Sequence, residues 1–288
     1  MSEKNRVVKG MLYLVATPIG NRADISERAL KVLSEVDFIA AEDTRNSGML
    51  LTGYGISQSY ISYHEHNRKE RGPEIIARLK NGESCALITD AGTPAISDPG
   101  EDLVALAAEE GVPVSAIPGA CAAVTALSMS GLPTRRFVFE GFLPPDKSYR
   151  RARLSEIAKE TRTVILYEAP HKLRRTLTDL LDSFGERPLA LCRELTKINE
   201  EVIRTTLSGA IRLYEECDPR GEYVLIIHGA DASSSVQSET YPQDPGEHLA
   251  LLMESGMERM DAIKAAAKAR GLSKGAFYKL LLADATEE

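Results

Sequence analysis

Short apolar runs that alternate with helix-length segments constrain this chain more than any other feature. "MLYLVAT", "DFIAAE", "SCALITD" and "VPVSAI" are each followed by a helical pattern. A strand covered by the helix that follows it belongs to an α/β fold with a largely parallel sheet. Five further runs follow "SGLPTRR" (Ser130–Arg136): "FVFEGFL", "TVILYEA", "PLALCRE", "EVIRTTL" and "YVLIIHG". They crowd together late in the chain, which predicts a mixed sheet. At 288 residues the chain sits where one core gives way to two. A boundary is expected near Pro133, with α/β domains over residues 1–132 and 133–230.

The stretch "DASSSVQSETYPQDPG" (Asp231–Gly246) is poor in apolar residues and reads as a flexible linker over 231–245. Residues 246–288 then form a small helical module. Leu249, Leu252 and Met253 mark one helix, Met260 to Ala269 a second, and "GAFYKLLL" a third. The Gly of "GLSK" can close the second helix and Ser273 can cap the third, which makes the module helix-turn-helix-like. Arg259 to Lys279 carries six positive charges against the single Asp261. That charge suits nucleic acid, and a helical hairpin that only packs is the alternative.

Composition narrows the class. Hydrophobic residues make up 43% and charged residues 27%, and no apolar run approaches the ~20 residues a membrane span needs. The N-terminus "MSEKNRVVKGMLYLV" has no leader-like apolar region, so a cytoplasmic protein is expected. Cys85, Cys121, Cys192 and Cys217 are widely spaced, which supports neither a zinc site nor a disulfide framework, and no metal is expected. A net charge of −7 argues against a surface that is basic all over, but "KSYRRAR" (Lys147–Arg153) carries four positive charges and no acid.

In an open α/β sheet, ligands bind beyond the carboxyl ends of the strands. The residues there share a character: "TPIGN" (Thr17–Asn21), "EDTR" (Glu42–Arg45), "DAGTPAISDPG" (Asp90–Gly100), "IPGA" (Ile117–Ala120) and "YEAPH" (Tyr167–His171). Gly and Pro let a backbone approach a ligand and hold a loop in one shape. No G-x-G-x-x-G follows the first strand, and no G-x-x-x-x-G-K-[ST], H-E-x-x-H or G-x-S-x-G occurs. Phosphate-cradling and serine-hydrolase readings fall away. The loops suit an adenosine-like group with a short polar tail.

Six ordered blocks, "LYLVATPIGNRADISERALKVLSEVDFIAAEDTRNSGMLL", "ITDAGTPAISDPG", "AIPGACAAVTALSMSGLP", "FEGFLP", "ILYEAPHKL" and "LCRELTK", resemble the tetrapyrrole-methylase superfamily, and within it the ribosomal RNA branch. The resemblance runs from about Gly10 to Gly229, and the tail after Pro245 is similar to that branch's helix-turn-helix extension. It implies two α/β domains with S-adenosylmethionine (S-adenosyl-L-methionine) in the cleft between them, a homodimer, and 2′-O-methylation of a cytidine in the decoding region of 16S rRNA in the small ribosomal subunit. The matching cofactor positions are Pro18, Gly20, Asp90, Ala91, Gly92, Thr93, Pro94, Ile96, Ser97, Asp98, Ile117, Pro118, Gly119 and Ala120, with Tyr167, Glu168 and Ala169 from the second half.

Methyl transfer from a sulfonium is an in-line displacement that requires alignment and exclusion of water, and no metal is inherently needed. A ribose hydroxyl needs a base or a cation that stabilises its developing alkoxide. Glu42, Asp43, His64, His66, Glu168, His171, Glu194 and Lys197 are candidates. Asp43, His64 and Lys197 are taken as catalytic, with the helix cap as the alternative for Asp43 and a satisfied loop histidine for His64. RNA phosphate is assigned to Arg45, Lys147, Arg150, Arg151, Arg193, Lys264, Lys268 and Lys274, with a solvated helix face as the alternative for Lys147 to Arg153. Two other functions compete: a methyltransferase for a tetrapyrrole or other small molecule, and a catalytically inactive RNA-binding assembly factor.

Overall fold

The computed structural model describes residues 6–231, 242, 244–270 and 272–284. Contacts divide the chain into two compact units, Met1–Ala230 and Asp231–Glu288. The first contains two five-stranded sheets.

In the first sheet, β1 (Leu12–Val15), β2 (Phe38–Ala41), β3 (Tyr60–Ser62), β4 (Cys85–Ile88) and β5 (Val114–Ile117) lie in the order β3-β2-β4-β1-β5, every pair parallel. Its three inner strands, β2, β4 and β1, are buried on both faces, as their near-continuous apolar sequences require. Tyr13, Val15, Ile39, Ala41, Ala86 and Ile88 face α1 (Glu27–Glu35) and α2 (Thr44–Thr52). Leu12, Phe38, Ala40, Cys85 and Leu87 face α3 (Arg68–Lys80) and α4 (Glu101–Glu109). Strand β3 was not among the expected runs; its three residues are all half-buried.

The second sheet takes β6 (Phe137–Phe142), β7 (Thr163–Glu168), β8 (Pro188–Arg193), β9 (Glu201–Thr206) and β10 (Tyr223–Ile227) in the order β6-β7-β10-β8-β9. Only β6 and β7 are parallel, so this sheet is mixed as its crowded sequence predicts. Alternation along the central strand β10 assigns its faces. Tyr223, Leu225 and Ile227 pack under α6 (Lys147–Ile157), α7 (Pro170–Phe184) and α8 (Leu207–Glu216), whereas Val224 and Ile226 meet α5 (Ala122–Ser130). Helix α5 thus precedes the expected boundary at residue 133 but covers the second sheet, through Ala123, Ala126 and Leu127.

The second unit holds α9 (Pro245–Glu254), α10 (Arg259–Ala269) and α11 (Lys274–Asp284) around Leu249, Ile263, Ala266 and Phe277. Ser273 caps α11, its Oγ accepting from Ala276 N at 3.2 Å. Gly271, the Lys268 side chain and most of the expected linker lie outside the described residues. No helix among the described residues is long and apolar enough to cross a membrane.

Leu225 is fully buried at the centre of the second sheet. Leu225→Ala removes packing from a site that cannot collapse, and is expected to cost about 2–5 kcal/mol, read as a lowered urea midpoint of the main unfolding transition.

Candidate active site

The loop after β4 is held by backbone pairing. Thr17 N donates to Gly92 O at 2.9 Å and Gly92 N to Thr17 O at 3.1 Å, which ties the exits of β1 and β4 together. Thr17 Oγ1 donates to Thr89 O at 3.0 Å, and Thr93 Oγ1 donates to Ala120 O at 2.9 Å, bringing in the exit of β5. Between these ties the chain takes left-handed backbone at Gly92, Ala95, Ser97 and Gly100, with φ of 88, 66, 60 and 139°. Left-handed Ala and Ser are uncommon and persist only where surroundings fix them. Part of that fixing comes from β6: Gly141 has φ 62°, and a Cβ there would lie 2.3 Å from Ser97 Oγ. The two sheets therefore meet at Ser97.

The opposite wall comes from the second sheet. Tyr167 OH accepts from Ala123 N at 3.0 Å, at the start of α5, and its ring sits edge-on to Phe139 and Phe142 at 5.0 and 5.6 Å. Burial pushes its hydroxyl up to about 12, so it serves as a neutral wall and donor. Glu168 is 4% exposed. Its carboxylate accepts from Thr176 Oγ1 and from Ala169 N, and Thr176 Oγ1 is in turn held by Arg150 Nη2 at 2.7 Å, whose Nε donates to Asp179 at 2.7 Å. The loop after β8 is strained like its counterpart, with left-handed Glu194 and Thr196. It closes on the first wall: Asn21 N donates to Thr196 Oγ1 at 3.0 Å, and a Cβ on Gly20 would lie 2.6 Å from Lys197 Cγ.

Between these walls lies a cavity of about 370 Å³, within the range of small-molecule sites. Ile19, Ile96, Phe142, Leu195 and Val224 supply apolar surface, while Glu42, Asp90, Asp98, Glu168, Glu194 and Glu222 face a single cation, Lys197. Lys197 Nζ is itself 2.9 Å from Glu194 Oε1. Burial, reinforced by Glu42, Asp90 and Glu222, pushes the Asp98 carboxyl up to about 6. Burial and then Asp90 hold Glu42 above the usual carboxylate range as well. Like charges crowded out of water are stabilised by a cationic ligand. An apolar, acid-lined cavity fits S-adenosylmethionine, which joins a flat adenosine to a positively charged sulfur. Among the described residues no cluster of His, Cys, Asp and Glu is arranged for a metal ion.

Of the residues expected to hold the cofactor, Asp90, Ala91, Gly92, Thr93, Ile96, Ser97, Asp98, Tyr167, Glu168 and Ala169 line the cavity. Pro18, Gly20, Pro94, Ile117, Pro118, Gly119 and Ala120 are not part of the lining; Gly20 and Ala120 shape it from behind, through Lys197 and Thr93. Asp43 takes the capping alternative, accepting from Arg45 N at 2.8 Å at the start of α2, and stands outside the lining, which the neighbouring Glu42 reaches. His64 stands outside the lining, with a buried Nδ1 that finds no hydrogen-bond partner among the described residues. His66 and His171 are exposed. Arg150 is also corrected: its side chain is 7% exposed and committed to Asp179 and Thr176, out of reach of RNA. Arg193 pairs with Glu201 at 2.5 Å across the β8–β9 ladder, and Lys264 with Asp261 at 2.8 Å. Arg45, Lys147, Arg151 and Lys274 are exposed. Glu222, Tyr223 and Val224 were not expected at the site. Glu222 precedes β10 and Tyr223 and Val224 open it; the strand runs antiparallel to its neighbours, so its amino end faces the cavity.

Residues 11–211 match the family model of tetrapyrrole (corrin/porphyrin) methylases. The chain is 47% identical over 274 residues to "Ribosomal RNA small subunit methyltransferase I" of Synechocystis sp., covering 95% of this chain and 98% of that one. It is 44% identical over 277 residues to the protein of the same name from Escherichia coli O157:H7, covering 95% of each. Among solved structures it is similar to uroporphyrin-III C-methyltransferase from Thermus thermophilus complexed with S-adenosylhomocysteine, with a TM-score of 0.53, 18% identity and coverage of 76% of this chain and 97% of that one. That last likeness concerns the fold, and the closely similar full-length relatives carry the assignment further: the chain belongs to the tetrapyrrole methylase family, alongside its ribosomal RNA small subunit methyltransferase I members.

Proposed function

We propose that this protein transfers the methyl group of S-adenosylmethionine to the ribose 2′-oxygen of a cytidine in the decoding region of 16S rRNA, acting as a cytoplasmic homodimer on the small ribosomal subunit. The end-to-end identity with relatives of that name carries the reading, and the acid-lined cavity supports the choice of donor. S-adenosylmethionine supplies an electrophilic methyl on a positively charged sulfur. Asp90 to Thr93 and Ile96 to Asp98 hold it from one wall and Tyr167 to Ala169 from the other, on a frame set by Pro18, Gly20, Pro94 and Ile117 to Ala120. Lys197 stabilises negative charge as it develops on the attacking oxygen. Arg45, Lys147 and Arg151 guide the RNA backbone outside the cavity, with Arg193, Lys264 and Lys274 as further contacts. The ion pairs of Arg193 and Lys264 are partly or fully exposed, and phosphate displaces such pairs at little cost.

Small subunits from cells lacking this gene, incubated with the protein and methyl-labelled S-adenosylmethionine, are expected to take label at an alkali-resistant position in the decoding region. Calorimetric cofactor binding without transfer to RNA would overturn the RNA reading and direct the search to small-molecule acceptors.

Asp98 makes the donor's affinity depend on pH. Its carboxyl titrates at about 6 in the free protein, and a bound cation favours the ionised form. Affinity is therefore gained as pH rises through about 6 and lost below it. Asp98→Asn is expected to weaken binding at pH 8 by roughly tenfold, about 1.4 kcal/mol, and to flatten the profile between pH 5 and 8. Calorimetry at both pH values checks this.

A further inference from the structure

Six carboxyls line the cavity, and they are not equivalent. Glu168 is held by Thr176 and Ala169, Glu194 by Lys197, and Asp90 by Asn46 Nδ2 at 3.0 Å. Glu222 is exposed. Glu42 and Asp98 remain, with no ion pair among the described residues. They differ in what stands behind them. The groups facing Asp98 are the acids Glu42, Asp90 and Glu222 and the Thr89 hydroxyl, so a proton arriving there has no basic neighbour to take it.

Glu42 is placed differently. It leaves β2 beside the end of β3, since Ala41 pairs with Ser62 and Tyr63 N donates to Ala41 O at 2.8 Å. That register runs Glu42 out level with Tyr63, one residue before His64, and His64 lies close enough to favour the ionised carboxylate. Asn67 Oδ1 fixes the turn by accepting from His64 N at 2.9 Å. The imidazole is left with a buried Nδ1 that has no hydrogen-bond partner among the described residues. Asp90 and Asp98 from the β4–α4 loop and Asp43 from the start of α2 complete the charged surroundings of Glu42, all acidic.

Resting on the methyl-transfer reading above, we propose that Glu42 accepts the proton of the attacking ribose hydroxyl and that His64 is its positioning residue, able to receive that proton afterwards. The hydroxyl proton passes to a Glu42 carboxylate oxygen. The electron pair of its O–H bond stays on oxygen, which forms the new bond to the methyl carbon, and the carbon–sulfur bond breaks with its pair remaining on sulfur. No oxidant, reductant or metal is required for this balance.

The test is single-turnover transfer to undermethylated small subunits at saturating S-adenosylmethionine, with the full-length protein. General-base removal costs about 10²–10⁴-fold. Glu42→Gln is expected to slow transfer at least ~100-fold while its calorimetric affinity for S-adenosylmethionine stays within about fivefold of wild type, which also shows that the variant is folded. Glu42→Asp is expected to recover part of the rate. In the wild type the rate falls toward acid as Glu42 takes a proton. His64 favours the ionised Glu42 carboxylate, so His64→Asn is expected to move that transition to higher pH; a merely structural role would leave it unmoved. A Glu42→Gln rate within about threefold of wild type overturns the assignment alone, as does a variant whose only defect is weaker cofactor binding. A wild type that binds the cofactor and labels no RNA overturns the functional reading and this assignment with it.

Discussion

Two backbone hydrogen bonds between Thr17 and Gly92 hold the site together. They join the exits of β1 and β4, adjacent parallel strands whose loops would otherwise lead away independently toward α1 and α4. With that join made, Thr93 can reach Ala120, and the chain from Ala95 to Gly100 is enclosed tightly enough to stay left-handed at non-glycine residues. Each such residue costs about 1 kcal/mol or more. The cost is borne where it serves the ligand, because the turn presents Ser97 and Asp98 toward the second sheet. A matching pair, Glu194 and Thr196, strains the opposite wall. Both walls are thus tied in place by hydrogen bonds between their loops, and such preorganisation lowers the ordering cost of binding.

Charge divides the molecule by location. The cavity concentrates acid in a poorly solvated space, where it attracts a sulfonium and repels phosphate. For an RNA substrate this dictates how the polymer approaches. The backbone has to stay outside, near exposed cations such as Arg45 and Arg151, while one nucleoside projects inward. A net charge of −7 is compatible with such a substrate when the acids lie where phosphate does not go.

Much of this was legible in the sequence for one physical reason: in a parallel sheet all strands point the same way, so reading the residues after each strand reads one rim. That rule picks out Asp90 to Thr93, Ile96 to Asp98 and Tyr167 to Ala169, which line the cavity, and also Pro18, Gly20 and Ile117 to Ala120, which do not. It fails at β10, whose antiparallel direction brings Glu222 and Val224 to the rim from the strand's start. Strand direction is decided by pairing, which no local pattern encodes. Strand β3 escaped notice because three half-buried residues give too short an alternation to stand out. Arg150 is another kind of error. It stands four and seven residues before Leu154 and Ile157, both buried, so its helix face was readable as inward. The basic character of "KSYRRAR" hid that periodicity.

Arg150 also shows how a cation can serve this site without touching a substrate. A buried guanidinium is expensive unless its donors are satisfied, and here Asp179 and Thr176 take them. Thr176 then has its own hydroxyl proton to give, and it gives it to Glu168 on the cavity wall. Because that oxygen accepts from Arg150 while donating to Glu168, the direction of the chain is fixed, and Glu168 is held as an acceptor. An acid fixed in this way adds to the negative field of the cavity but cannot turn to take a substrate proton. The network that orients Glu168 thereby sets it apart from Glu42 on the other wall, which the Asp90 backbone N–H holds but which has no ion pair among the described residues.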